Sequence, residues 1–169
     1  MIHLVCGPIG AGKTTYAIKL AKEQRAVRFS EDDWLAKLFV PEAPKDLLEQ
    51  SMQVVGAWAT ERYQRCRSQI WLICQELLEI DSSIVLDGAA ANKEQRDMIR
   101  EKARQYNVGF QLHYITAPAE KRRERVFERN RQRGITFSLE VTPAMFEHTE
   151  QYFEAPKGKE LEQAIVIQS

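Results

Sequence analysis

Short apolar runs alternate along this chain with longer stretches in which apolar residues recur every three or four positions. The runs are Ile2–Cys6, Ala26–Phe29, Ile84–Leu86, Phe110–Ile115 and Ala164–Ile167. Each reads as a buried central strand. Between them lie helical patterns: one over Lys13–Gln24, one starting near Glu31, and one over Lys93–Gln105 with a thin stripe of Met98, Ile99 and Ala103. This alternation predicts an α/β domain built on a parallel sheet. The longest helical stretch runs from Pro44 towards Ile80. Its later half carries Cys66, Ile70, Ile73, Leu77 and Ile80. Gly56 and the charged Glu61-Arg62 leave one rod or two helices equally open. Thr116-Ala117-Pro118 opens a very polar helix that ends at Gly134. Its only large apolar residues are Val126 and Phe127, which predicts loose attachment. Thr142-Pro143 is a cap-then-proline start for a helix to about Phe153. Residues 44–80 and 118–142 therefore look inserted between core elements.

Composition narrows the class. At 169 residues, 44% hydrophobic and 28% charged, the chain has the size and mix of one globular domain, residues 1–169, not of a disordered segment. No apolar run approaches the roughly 20 residues of a membrane span. Ile2–Cys6 is too short for the apolar core of a secretory signal. Lys and Arg total 24, as do Asp and Glu, so no global field steers the chain to nucleic acid or membrane and any anion site is local. Cys6, Cys66 and Cys74 lack metal-like spacing. Without a signal peptide they read as reduced thiols of a cytoplasmic protein.

The strongest chemical signal is Gly7-Pro8-Ile9-Gly10-Ala11-Gly12-Lys13-Thr14. It has the spacing G-x-x-x-x-G-K-[ST], with an apolar run before it and a helical pattern after it. Glycines let backbone N–H groups turn towards a phosphate, and the following helix points its positive end at the same spot. Residues 7–14 and the adjoining Thr15 are thus candidates to bind ATP. Lys13 would reach the β and γ phosphates, and the Thr14 hydroxyl would ligate Mg²⁺.

Two acidic sites follow. In Ser30-Glu31-Asp32-Asp33-Trp34, Ser30 with Asp33 forms a capping box, and Trp34, Leu35 and Leu38 would be the buried face of a helix. Asp32 falls at the C-terminal end of a strand, the edge where open α/β sheets bind ligands, and is the candidate general base for an acceptor hydroxyl. Ser83-Ile84-Val85-Leu86-Asp87-Gly88 ends an apolar run on an acid. Asp87 is the candidate to hold Mg²⁺ through water beside Thr14. Gly88 stands where many hydrolytic motors place a water-activating carboxylate, which favours transfer to a bound acceptor. Arg96 reads as a solvated helix arginine.

The polar segment 118–134 carries a surplus of arginine. Arg125, Arg129 and Arg133 are four apart and share a helix face, where like charges repel unless an anion relieves them. On a lid, such side chains would neutralise a transferring phosphoryl group. Arg125 and Arg129 are the candidates.

In this order, these motifs resemble the small P-loop kinases of the nucleoside-monophosphate-kinase-like fold, in particular the subgroup of polynucleotide kinases, chloramphenicol phosphotransferases and zeta-toxin-like kinases. The resemblance rests on Gly7 to Thr14, Ser30-Glu31-Asp32-Asp33, Val85-Leu86-Asp87-Gly88 with Arg96, Arg125-Val126-Phe127-Glu128-Arg129 and Phe153-Glu154-Ala155-Pro156. It implies a three-layer fold with a five-stranded parallel sheet, order 2-3-1-4-5, flanked by helices and carrying a helical lid. It also implies Asp32 as base, Arg125 packed on the adenine, Arg129 at the γ-phosphate, and residues 153–160 bordering the base. Polynucleotide kinases carry an arginine shortly after the acidic pair, where this chain has Leu35.

The insertion 44–80 should frame the acceptor. It offers Trp58, Tyr63 and Trp71 with Arg62, Arg65 and Arg67, which suits an aromatic or an anionic small molecule. Trp58 and Trp71 also read as core at helical spacing. His3, His113 and His148 stand alone, His113 as a structural residue. The expected activity is ATP- and Mg²⁺-dependent phosphotransfer to a small-molecule hydroxyl. The alternatives are a polynucleotide 5′-hydroxyl kinase, with a nucleic-acid end as partner, and a nucleotide-binding regulatory module with little catalysis.

Overall fold

The computed structural model describes residues 1–88, 90–134 and 140–169. Its strands are β1 (Ile2–Cys6), β2 (Val27–Ser30), β3 (Ile84–Asp87), β4 (Phe110–Thr116) and β5 (Ile165–Gln168). They form one sheet in the order β2-β3-β1-β4-β5, with every neighbouring pair parallel. This is the three-layer P-loop kinase fold expected from the sequence. The reason lies in β1, whose five residues are all buried. A strand apolar on both faces belongs at the centre of a sheet covered on both sides.

Helices supply the covers: α1 (Lys13–Glu23), α2 (Glu31–Leu38), α3 (Met52–Glu79), α4 (Lys93–Gln105), α5 (Ala119–Gln132), α6 (Pro143–Tyr152) and the short α7 (Lys159–Glu162). Leu4, Leu86 and Leu112 lie in register and pack, with Cys6, beneath α3 and α4. The opposite face, with Val5, Val85 and Ile115, packs on Ala17, Leu20 and Ala21 of α1. β2 begins at Val27 because Ala26 N–H is used to close the α1 turn on Ala21 O at 2.8 Å.

Several local expectations change. The long helical stretch starts at Met52, capped by Ser51, and residues 40–42 and 47–49 form short 3₁₀ turns instead. From Met52 it is one continuous helix of 28 residues. Gly56 does not break it, and Cys66, Ile70, Cys74 and Leu78 fasten the later half to the sheet. Leu38 is exposed and Ile80 lies past the helix end, also exposed. Trp71 packs on the core with its ring edge against Tyr106. The polar helix α5 is not loosely attached. Val126 and Arg122 are buried, and Arg122 donates to Ala117 O (2.9 Å), Ile9 O (3.1 Å) and both Glu150 oxygens (2.5 and 2.7 Å). The region 118–142 read as inserted includes residues 135–139, which lie outside the described residues.

The three cysteines are free and buried, and burial pushes the Cys6 and Cys74 thiols up to about 12. Among the described residues, no helix is long and apolar enough to cross a membrane.

His3 and His113 do not stand alone. His3 Nδ1 lies 3.1 Å from His113 Nε2, and His113 Nδ1 lies 2.9 Å from the Tyr16 hydroxyl, a chain of polar contacts under α1. Burial, then the neighbouring His3, lowers the His113 pKa to about 4. The unfolded chain therefore binds a proton near pH 6.5 that the folded protein refuses until about pH 4, so stability is lost as pH falls through that window. We expect a loss of about 3 kcal/mol attributable to this group. Urea unfolding of wild type and His113→Leu between pH 7 and pH 4 checks it: the slope with pH should be shallower in the variant.

Candidate active site

The loop after β1 has to fold back close to two other backbones. A Cβ on Gly7 (φ 152°) would lie 2.1 Å from Ile115 O, and one on Gly10 (φ 76°) 2.5 Å from Arg122 O. Both positions demand glycine by conformation and by space. The loop feeds into α1, which has no side-chain cap and no acid in its first turn, so the amides at its start face the cleft uncompensated. Lys13 Nζ donates to Pro8 O at 2.9 Å. Burial lowers its pKa, while the charges of Asp32 and Asp87 oppose that shift.

One cleft of about 1680 Å³ opens over this loop. Gly7, Pro8, Ile9, Gly10, Gly12, Lys13, Thr14, Thr15, Asp32, Arg125 and Arg129 all line it, so most sequence-predicted site residues come together. Ala11 is buried beneath the loop. A single small-molecule site is typically about 300–1,000 Å³, so the cleft has room for two ligands.

Asp32 starts α2 at the end of β2 and is exposed to the cleft. Tyr63 of α3 donates its hydroxyl to Asp32 Oδ1 at 2.6 Å. Burial, reinforced by the Asp32 charge, holds that phenol protonated, well above its usual range. The bond leaves Asp32 Oδ2 without a partner among the described residues. Asp33 is doubly engaged: its N–H donates to the Ser30 hydroxyl at 3.2 Å, closing the expected cap, and its carboxylate pairs with Arg28.

Arg28, which the sequence pattern did not single out, spans two elements. Its other nitrogen donates to Asp87 Oδ2 at 2.5 Å. Asp87 is buried at the end of β3 and is not itself on the cleft wall. Burial raises its pKa, and Arg28 opposes the rise. Thr14 with one buried carboxylate suits Mg²⁺, which keeps several waters and phosphate oxygens and needs only one or two protein groups.

The arginines of α5 differ from one another. Arg125 donates to the Ser169 hydroxyl at 2.8 Å, and that hydroxyl in turn donates to Ala11 O at 2.8 Å. Arg129 has no hydrogen bond or ion pair among the described residues, and its Nε is buried without a partner. Burial lowers its pKa, and the charge of Asp32 across the cleft opposes this. A half-buried guanidinium without a partner among the described residues, near Lys13 and the turn at residues 7–12, favours an anion.

Arg96 is neither solvated nor on the cleft. It is fully buried, donating to Glu160 through two bonds (2.9 and 2.8 Å) and to Glu154 O at 2.7 Å. Glu154 N–H in turn reaches Ala91 O at 2.8 Å, and Phe153 stacks on Tyr114. The segment 153–160 is thereby fixed to the loop after β3. No local signal distinguishes Arg96 from the exposed Arg104 of the same helix, because its partner lies 64 residues on.

A family model described as an AAA domain matches residues 2–156. No curated protein matches the sequence significantly. Among solved structures, a gluconokinase from Sinorhizobium meliloti is similar (TM-score 0.58, 17% identity, 98% of this chain and 81% of that chain). Chaetomium thermophilum Kti12 in complex with ADP-AlF3 (TM-score 0.65, 15% identity, 99% and 89%) is similar too. So is the Mycobacterium tuberculosis APS kinase CysC in complex with AMPPNP and APS (TM-score 0.56, 16% identity, 99% and 87%).

Because Arg96 is a buried charge that only Glu160 and backbone carbonyls satisfy, removing its partner strands it. Glu160→Gln should lower stability by about 3 kcal/mol. Urea denaturation followed by far-UV circular dichroism checks this.

Proposed function

Since the chain belongs to the AAA-domain family, on a P-loop kinase fold, we propose that it is an ATP-dependent, Mg²⁺-assisted phosphotransferase that moves the γ-phosphate onto a hydroxyl of a small-molecule acceptor. The observation that carries this reading is the convergence on one cleft of three groups: Lys13 on the phosphate-binding turn, the partnerless Arg129, and Asp32 opposite with one free oxygen. A phosphotransferase uses an exposed carboxylate fixed in this way as its base, which favours transfer over a nucleotide switch.

In this reading the loop amides of residues 7–14, with Thr15 beside them, hold the triphosphate, and Arg125 flanks the adenine. Lys13 and Arg129 stabilise the charge that spreads over the γ-phosphoryl oxygens during transfer. Mg²⁺, held by Thr14 and through water by Asp87, would neutralise charge on the β and γ phosphates. Asp32 Oδ2 accepts the acceptor's hydroxyl proton as the new O–P bond forms and the bond from the γ-phosphorus to the bridging oxygen breaks. ADP leaves with that electron pair. Tyr63 fixes the carboxylate so that Oδ2 is the oxygen presented.

Lys13→Ala should abolish transfer or weaken ATP binding by tenfold or more, in the range of a lost charge-assisted hydrogen bond (about 1.5–3 kcal/mol). Asp32→Asn should leave ATP affinity nearly unchanged and cut kcat by about 10²-fold or more. Isothermal calorimetry with Mg-ATP and an ADP-release assay over a panel of metabolites and oligonucleotides separate the two effects. Unchanged turnover in Asp32→Asn would reduce Asp32 to part of a helix start.

A further inference from the structure

The phosphotransfer reading leaves the acceptor open, and the residues available as its ligands suit either an aromatic or an anionic molecule. The ion pairs decide between them. Beyond Asp32 the cleft continues between α2, the turns at 40–49 and the first half of α3. Its walls are apolar: Leu35, Val40, Leu47, Met52, Val55 and Trp58.

The arginines of this half are already paired. Arg67, the arginine of α3 that lines the cleft, donates to both oxygens of Glu31 at 2.9 and 3.0 Å. Arg62 pairs with Glu61, bonds Trp58 O at 3.1 Å, and lies over the Trp58 ring at 4.5 Å. Lys45 stands exposed at the rim, where water screens it. Over residues 31–67, seven acidic side chains stand against five basic ones. An anionic acceptor entering here would give up its hydration for an apolar wall, next to the Asp32 carboxylate, with no unpaired arginine of α3 among the described residues and only a solvent-screened lysine at the rim to receive it.

Resting on the phosphotransfer reading, we infer that the acceptor is an alcohol with an apolar, aromatic body and no anionic group, seated against Trp58 and Val55 with its hydroxyl at Asp32. Trp58 offers the body the ring face that Arg62 does not cover, and the Glu31–Arg67 pair satisfies the one arginine of α3 that lines the cleft, leaving it no bond for a carboxylate or phosphate.

The test uses matched probes on the full chain loaded with a non-hydrolysable ATP analogue: 1-phenyl-1,2-ethanediol, its ring-carboxylated counterpart, gluconate and a short 5′-hydroxyl oligothymidylate. Dissociation constants come from saturation-transfer NMR titrations. The neutral diol should bind at least about tenfold more tightly than either carboxylate. Trp58→Ala should weaken the diol about tenfold and leave the affinity for the ATP analogue unchanged. Glu31→Gln, which frees Arg67 at constant shape, should bring the carboxylated diol within about threefold of the neutral one. A carboxylate or the oligonucleotide binding as well as the neutral diol overturns the inference, as does absence of saturation transfer to the diol. Calorimetry with the ATP analogue alone reads the phosphotransfer proposal separately: no heat of binding there sinks that proposal, whereas normal nucleotide binding with the probe order reversed sinks only the acceptor class.

Discussion

The close approach of three backbones around the turn at residues 7–12 is the constraint on which the rest of this molecule depends. β4 passes Gly7 at Ile115, and the first turns of α5 pass Gly10 at Arg122. Without a Cβ at either position, the turn can lie in the groove between the sheet and α5 with its amides facing outward. This puts the start of α1, Lys13 and α5 around the same space. The parallel order of the sheet then sets Asp32, at the end of β2, on the other side of that space.

Charge is managed differently on the two sides of the cleft. On the side of α1 and α5 positive groups are left in want of partners among the described residues: uncapped amides, Lys13 bonded to a carbonyl of its own loop, and Arg129. On the side of α2 and α3 the arginines are matched, Arg67 by Glu31, and Arg62 and Arg65 by Glu61. Below both, Arg28 ties Asp33, in the first turn of α2, to Asp87, at the end of β3, so the two acids do not repel each other apart. The asymmetry leaves unpaired positive groups at one end of the cleft and paired ones at the other.

Much of this was legible in the residues themselves. Continuous apolar runs specify central parallel strands, and the spacing of glycines, lysine and threonine specifies the turn. Asp32 was legible because a capping box fixes where its helix begins, and the strand before it fixes which edge it occupies. What escaped are interactions between residues far apart in the chain. Arg96 looks like any helix arginine until Glu160 closes over it. Arg122 looks like one more charge on a polar helix, yet it anchors that helix to Ile9 and Glu150. The tyrosine that fixes Asp32 comes from α3, 31 positions away. Periodicity left α3 open between one rod and two helices for a related reason: Gly56 weakens a helix locally, and tertiary packing of the later half decides for one.

The fastening of α5 at both ends sets where its arginines stand. Arg122 holds the first turn to Ile9 and Glu150, Val126 is buried midway, and Asn130 exchanges two hydrogen bonds with Val141 near the far end. At about 1.5 Å of rise per residue, Arg129 is thereby kept about 10 Å along the axis from Arg122. A register shift of one residue would swing Arg129 by about 100° around the axis and off the cleft wall. The two anchors act as a ruler for the guanidinium between them.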